Sequence, residues 1–315
     1  MNQNTNTSGA AQGTCRILSL DGGGAKGFYT LGVLKEIEAL VKCPLYERFD
    51  LIFGTSTGAI IAALLALGNS VDEAHKLYKE YVPVIMRQRN PSARTKVLSQ
   101  VVKKVFGDRV FTDFKTGIGI VATRWEFEKP MIFKTSVAQA HGREGTFVPG
   151  FGCTIADAVQ ASCSAYPFFE KHVVDAQVQG QVELIDGGYC ANNPTLYAIA
   201  DAIMALKKER PDLRVVSVGV GEYPSPNYKG FEWLIRRFWS VQLLQKTLNI
   251  NTNSMEQLRV VLFKDIQTIR INDSFERPEM ATDLLESNLK KLNMLFQCGS
   301  ESYSQHEEAL KKLFL

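Results

Sequence analysis

Histidine is scarce in this chain: four among 315 residues. None stands at a zinc-ligand offset from a cysteine pair. The six cysteines, Cys15, Cys43, Cys153, Cys163, Cys190 and Cys298, contain no C-x2-C step. A zinc finger and a small disulfide scaffold are thereby excluded, and the scatter fits reduced, mostly buried thiols. Excess charge is also missing. Thirty-six Lys and Arg oppose 33 Asp and Glu, and a net +3 is too small to imply a DNA or RNA polymer as partner. No apolar run approaches the roughly twenty residues of a bilayer crossing. The longest, Ala59 to Gly68, is about half that. Residues Met1 to Thr14 are polar and uncharged, without the basic and apolar regions of a signal peptide. They read as a disordered lead-in (1–14) to a single domain over 15–315. The expected location is the cytoplasm, and any membrane contact is peripheral.

What is present is glycine, in clusters. Ile17 to Leu20 reads as a buried strand ending in Asp21-Gly22-Gly23-Gly24-Ala25-Lys26-Gly27, and Phe28, Leu31, Leu34, Ile37 and Leu40 then recur at helical spacing. Phe49 to Phe53 is a second strand, running into Gly54-Thr55-Ser56-Thr57-Gly58 and an almost wholly apolar helix. Two strand–glycine turn–helix units in succession predict a parallel sheet with helices on both faces. Ser70 and Glu73 form a capping box opening a helix expected to close near Pro83. Arg87 to Lys104 holds six basic residues and no acidic one, interleaved with valines and Leu98. Further strands are predicted at Ile118–Ala122, Met131–Thr135, Val182–Ile185, Val215–Val220 and Ile266–Ile271. Helices are predicted over Thr154–Cys163 and from Pro194 to about Lys208.

Three constellations carry chemistry. G-x-S-x-G between a strand and a helix projects Ser56 from a tight turn. Gly54 and Gly58 relieve crowding there, and the helix N-terminus lies near developing negative charge. Gly22, Gly23 and Gly24 can point backbone N–H groups at an oxyanion or a phosphate. A dinucleotide fingerprint would place an acid at the end of the next strand, where Gly54-Thr55-Ser56 stands instead. Asp186-Gly187-Gly188 ends a third strand. A serine hydrolase needs a base, and His75, His141, His172 and His306 lie in polar surroundings unsuited to a triad. A carboxylate acting directly on the serine fits better.

These motifs, in this order, resemble the patatin-like phospholipases. Asp21 to Gly27, Gly54 to Gly58, Asp186 to Gly188, the small-residue segment Ala161 to Pro167 and Asn192-Asn193-Pro194 all match, over roughly residues 15 to 221. The resemblance implies a three-layer α/β/α fold with a mainly parallel central sheet. Catalytic motifs would lie within 21–221 and a helical elaboration over 222–315. It implies a Ser56–Asp186 dyad, an oxyanion hole from Gly22, Gly23 and Gly24, and ester hydrolysis of membrane phospholipids without metal or other cofactor. Lys26 stands where Arg is commoner, keeping charge but losing the bidentate fork. Tyr189 and Cys190 inside the aspartate motif have no assigned effect. The chain further resembles bacterial effector phospholipases of antiphage signalling that a cyclic dinucleotide switches on. Arg87, Arg89, Arg94, Lys96, Arg236 and Arg237 are then candidates for activator or headgroup phosphates. The aromatic-basic stretch Phe231 to Trp239 is a candidate membrane contact, and a homo-oligomer is compatible with the resemblance. The other readings are a constitutive or secreted lipid acyl hydrolase and a non-catalytic nucleotide-binding module.

Overall fold

A computed structural model describes residues 13–226 and 239–314. Eight strands form one sheet: β1 (Cys15–Leu20), β2 (Leu51–Thr55), β3 (Gly117–Arg124), β4 (Lys129–Lys134), β5 (His172–Ala176), β6 (Gly180–Asp186), β7 (Leu213–Val218) and β8 (Gln267–Ile271). Their order is β5-β6-β3-β2-β1-β7-β8, with β4 paired to β3. β3, β2, β1, β7 and β8 run parallel, while β4, β5 and β6 are attached antiparallel. The helices are α1 (Gly27–Val41), α2 (Leu45–Arg48), α3 (Thr57–Ala66), α4 (Val71–Met86), α5 (Pro91–Phe106), α6 (Ile155–Ser162), α7 (Gly188–Ala191), α8 (Thr195–Ala200), α9 (Trp239–Leu262) and α10 (Leu289–Phe314).

The period-two alternation of strand side chains divides the core into two layers. Leu18, Leu20, Ile52, Ile118 and Ile120 pack under α1, α3 and α10. Ile17, Leu51, Phe53 and Val215 point the other way, against Ala198, Ile199 and Ala202. Both faces are therefore dry, which is why these strands read as nearly continuous apolar runs. This is the expected three-layer arrangement, with α9 and α10 as the C-terminal helical part.

Register brings the chain ends of two strands together. β4 occupies one edge of β3 from Gly119 to Arg124. β2 occupies the other edge up to the Thr55–Val121 pair, and there β6 takes over, pairing Asp186 with Ala122. β2 running upward and β6 running downward thus meet end to end beside β3. Ser56, the residue after β2, faces Asp186, the last of β6. This is the carboxyl edge of the parallel strands, where α/β sheets place their ligands.

Two local expectations are corrected and one strand is added. The capped helix from Ser70 does not close near Pro83 but runs through it to Met86. Val82 and Ile85 stay buried there, and that burial outweighs one lost backbone hydrogen bond. The helix after Pro194 is α-helical only to Ala200 and then widens into a π turn over Asp201–Ala205. Asp201 is buried, with Lys134, Gln139 and His141 gathered on its carboxylate. A strand over His172–Ala176 joins the sheet edge although the sequence did not signal it. Residues 1–12 of the 1–14 lead-in and the stretch Phe231 to Phe238, with Arg236 and Arg237, lie outside the described residues.

Candidate active site

Ser56, the residue capping α3, has φ 53° and ψ −121°, a positive-φ conformation that a non-glycine residue holds only under constraint. The constraint is backbone crowding. A Cβ on Gly54 would lie 2.3 Å from the Gly58 carbonyl oxygen, and one on Gly58 would lie 2.3 Å from that of Leu20. Only glycine permits that approach, so the two flanking glycines hold the turn sharp enough to project the serine. Ser162, at the end of α6, ties the turn to the sheet. Its hydroxyl accepts from Ser56 N–H at 2.9 Å and donates to the Val121 carbonyl at 2.6 Å.

Asp186 is 2% exposed. Its main chain is fixed by bonds from Asp186 N–H to Ser164 O (2.9 Å) and from the Thr123 hydroxyl to Asp186 O (3.0 Å). Gly188 N–H donates to Oδ1 at 2.7 Å. Burial pushes the carboxyl up to about 6, while hydrogen bonding from the Ser56 side chain and Gly188 N–H pulls it down. Cys163 lies against the same pair. Its thiol is held well above its ordinary value by burial and by the Asp186 charge, with Ser56 opposing. It is therefore a neutral neighbour of the pair, not a thiolate. Tyr189 donates its hydroxyl to Tyr166 O, and Cys190 accepts from the Thr123 hydroxyl at 3.2 Å. Both residues brace the aspartate turn from behind. The histidines are engaged elsewhere: His75 stacks on Phe296, His141 meets Asp201, His172 is 3.5 Å from Asp157 and His306 is 3.8 Å from Asp273.

The glycine loop approaches from β1, and Gly22 lies against Ser56: a Cβ added there would be 3.2 Å from Ser56 Cβ. Its three N–H groups are not equivalent. Gly22 N–H is occupied by the Asn192 carbonyl at 3.0 Å, whereas no described residue accepts from those of Gly23 and Gly24. Asp21, at the head of the loop, is 1% exposed and forked onto Arg270 by two bonds, 2.9 and 2.5 Å. Lys26 is buried, and burial lowers its ammonium to about 8 against the opposing charges of Asp283, Glu222 and Asp21.

An apolar cavity of about 70 Å³ opens on Ser56 and Asp186, walled by Ile60, Met86, Leu98, Phe168, Leu248 and Leu284. Arg94 is buried beneath that wall, donating to Phe168 O (2.8 Å) and Gln88 O (2.7 Å) with its guanidinium over Phe169. Arg87, Arg89 and Lys96 are exposed. The apolar side of α5 turns into the protein through Leu98, Val102 and Phe106, so its outward face offers charge but no apolar surface to insert. Among the described residues, no helix is long and apolar enough to cross a membrane.

Sequence reasoning missed Ser162, Asn192 as a bridging residue, and Arg270. Ser162 and Asn192 lay inside recognised segments, but only strand register shows what they touch. Arg270 is one strand and 249 residues away from its partner, with no local signal.

The family model "Patatin-like phospholipase" matches residues 18–199. A relative from Escherichia coli, "cUMP-AMP-activated phospholipase", is 65% identical over 96% of this chain and 94% of its own. A Vibrio cholerae "cGAMP-activated phospholipase" is 29% identical over 65% of this chain and 62% of its own. Among solved structures, VipD from Legionella pneumophila superimposes with a TM-score of 0.48 at 13% identity, over 97% of this chain and 68% of that one. With three ordered motifs converging on one cavity and a family match covering more than half its length, this chain belongs to the patatin-like phospholipase family.

Proposed function

We propose that this phospholipase works through a Ser56–Asp186 dyad on the acyl esters of membrane phospholipids, and that a cyclic dinucleotide switches it on in antiphage defence. The observation that carries the dyad is a buried carboxyl, pushed up to about 6, beside a serine on a strained turn. A base with that affinity is ionised at neutral pH yet basic enough to take a hydroxyl proton in the transition state. Ser56 Oγ attacks the ester carbonyl as Asp186 accepts its proton. The oxyanion is met by the N–H groups of Gly23 and Gly24, and Gly22 holds the loop through Asn192. Asp186 returns the proton to the departing lysolipid alkoxide. Water, deprotonated by Asp186, then releases the fatty acid and restores Ser56. No step calls for a metal.

Two relatives named for cyclic-dinucleotide activation support the switch. The cavity supports it as well. About 70 Å³ is less than the roughly 150 Å³ that accommodates benzene, so a fatty acyl chain requires the walls to part. Residues 15–315 act as one unit, because Leu248, Arg270 and Leu284 of the C-terminal part complete the site. The enzyme meets the inner membrane surface peripherally, with the exposed charges of α5 toward anionic headgroups. The test is hydrolysis of a fluorogenic phospholipid with and without a panel of cyclic dinucleotides. Turnover stimulated by one of them is expected. Equal turnover under all conditions contradicts the switch, and no turnover under any condition contradicts the hydrolase.

A further inference from the structure

Helix α9 stands between two cavities. Leu248 reaches the apolar cavity, while Gln245, Asn249, Thr252 and Asn253 line a second, polar cavity of about 220 Å³. Their spacing of four, three and one residues keeps them on one helical face. Thr252 is buried in the cavity floor, Gln245 is half-buried, and Asn249 and Asn253 stand exposed at its mouth, where their amides are open to a ligand. The floor of this cavity is buried and polar: Lys26 and Asn192 are each 5% exposed and Thr252 is 9% exposed. Two of its lining residues carry a buried polar atom without a hydrogen-bond partner among the described residues: Asn192 Oδ1, which lies against Gly22 and Gly188, and the Tyr223 hydroxyl oxygen. No described residue lies within ion-pair distance of the Lys26 ammonium, although Asp283, Glu222 and Asp21 exert opposing charge on it. A buried polar group left in this condition is destabilising unless something fills the site.

We infer that this polar cavity is the half-site for one nucleotide of the cyclic dinucleotide, with Lys26 facing a phosphodiester and the amides of α9 reading the base edge. The inference rests on the switch proposed above and gives it a place. An Asn or Gln side chain offers a donor and an acceptor side by side, the pattern presented by base edges. The Glu222 carboxylate can accept a ring N–H. Asp21 is already neutralised by Arg270, and Lys26 sets its positive charge against those of Glu222 and Asp283.

The same geometry links this cavity to catalysis. Asn192 lies in both walls, its Nδ2 donating to Gly22 O at 3.1 Å and to Thr252 Oγ1 at 2.8 Å. Asn251, between the polar-stripe residues, accepts from Asn192 N–H at 2.8 Å and donates to Cys190 O at 3.2 Å. A ligand that draws on the α9 amides therefore bears on Leu248 in the acyl cavity and on the glycine loop. It activates only if it binds better when those walls are apart.

The test uses the full chain with cyclic UMP-AMP as probe, comparing wild type with Asn249→Ala, Asn253→Ala and the double variant. Calorimetry measures binding, and a soluble short-chain ester reports basal hydrolysis. Binding is expected to weaken by about tenfold or more in the double variant, with a matching rise in the nucleotide concentration needed for activation. Basal hydrolysis and thermal midpoint should stay unchanged. Unaltered binding in a folded double variant overturns the assignment while leaving the switch intact. A wild type that hydrolyses ester but binds no cyclic dinucleotide overturns the switch itself. A rise in phospholipid KM without loss of nucleotide binding makes the cavity a headgroup subsite and also overturns the assignment.

Discussion

Asp186→Asn should make this protein more stable while abolishing its activity. Asp186 titrates at 3.8 in an unfolded chain and at about 6 in the buried site. A raised folded value means that the stabilising contribution is present below pH 3.8 and is lost as the pH rises through about 6. Above that, the ionised carboxylate is a burden. The gap is roughly two pH units at ~1.36 kcal/mol each, or about 3 kcal/mol. Asparagine carries no charge to desolvate, and its Oδ1 can keep the bond from Gly188 N–H. The expected gain at pH 7.5 is about 1–3 kcal/mol after allowance for altered contact with Ser56. Urea unfolding should show a midpoint up to about 1 M higher for the variant at pH 7.5. The two proteins should converge near pH 4, where wild-type Asp186 is itself neutral. Hydrolysis should fall by at least a thousandfold in the variant. In the wild type, kcat/KM should rise about tenfold per pH unit below 6 and level off above it. A variant less stable than wild type at pH 7.5, or a gain independent of pH, would refute the burial argument.

Other outcomes follow from the same geometry. Arg270→Met leaves the Asp21 carboxylate buried and unpaired and should cost about 3–5 kcal/mol. Most of that should return in the double variant Asp21→Asn, Arg270→Met, measured by chemical denaturation. Gly58→Ala drives a methyl group into the Leu20 carbonyl, so it should lose hydrolysis and lower the thermal midpoint together. Ile60→Trp, in the wall of the apolar cavity, should cut turnover of long-chain phospholipid by tenfold or more yet leave acetyl esters within about threefold. Equal losses on both substrates would show that Ile60 does not border the acyl path.

Much of the site was legible because its chemistry is written in contiguous segments. Gly54 to Gly58 announces a sharp turn, since only glycine tolerates the carbonyl contacts found there. Asp186 was reached by elimination among the histidines, and the structure shows each histidine engaged with another group. The oxyanion loop was readable as a donor cluster, but not that Gly22 is occupied by Asn192, because that bond spans 170 residues. Arg94 read as a free cation from a basic run, yet its guanidinium is buried on backbone carbonyls beneath the cavity wall. Charge counts along a chain cannot say which arginine turns inward. Pro83 looked like a helix end because its missing N–H is a local fact, whereas the burial of Val82 and Ile85 is a tertiary one. The polar stripe on α9 was open to view in sequence, but its meaning depends on Lys26 and Asn192 facing it from elsewhere in the fold.

Labelling with a fluorophosphonate followed by peptide mass spectrometry distinguishes Ser56, the proposed acyl-accepting nucleophile, from every other serine. A single adduct is expected on the peptide containing Ser56, absent from a folded Ser56→Ala variant that no longer hydrolyses phospholipid. An adduct on another serine, or phospholipid turnover retained by that folded variant, would contradict that role.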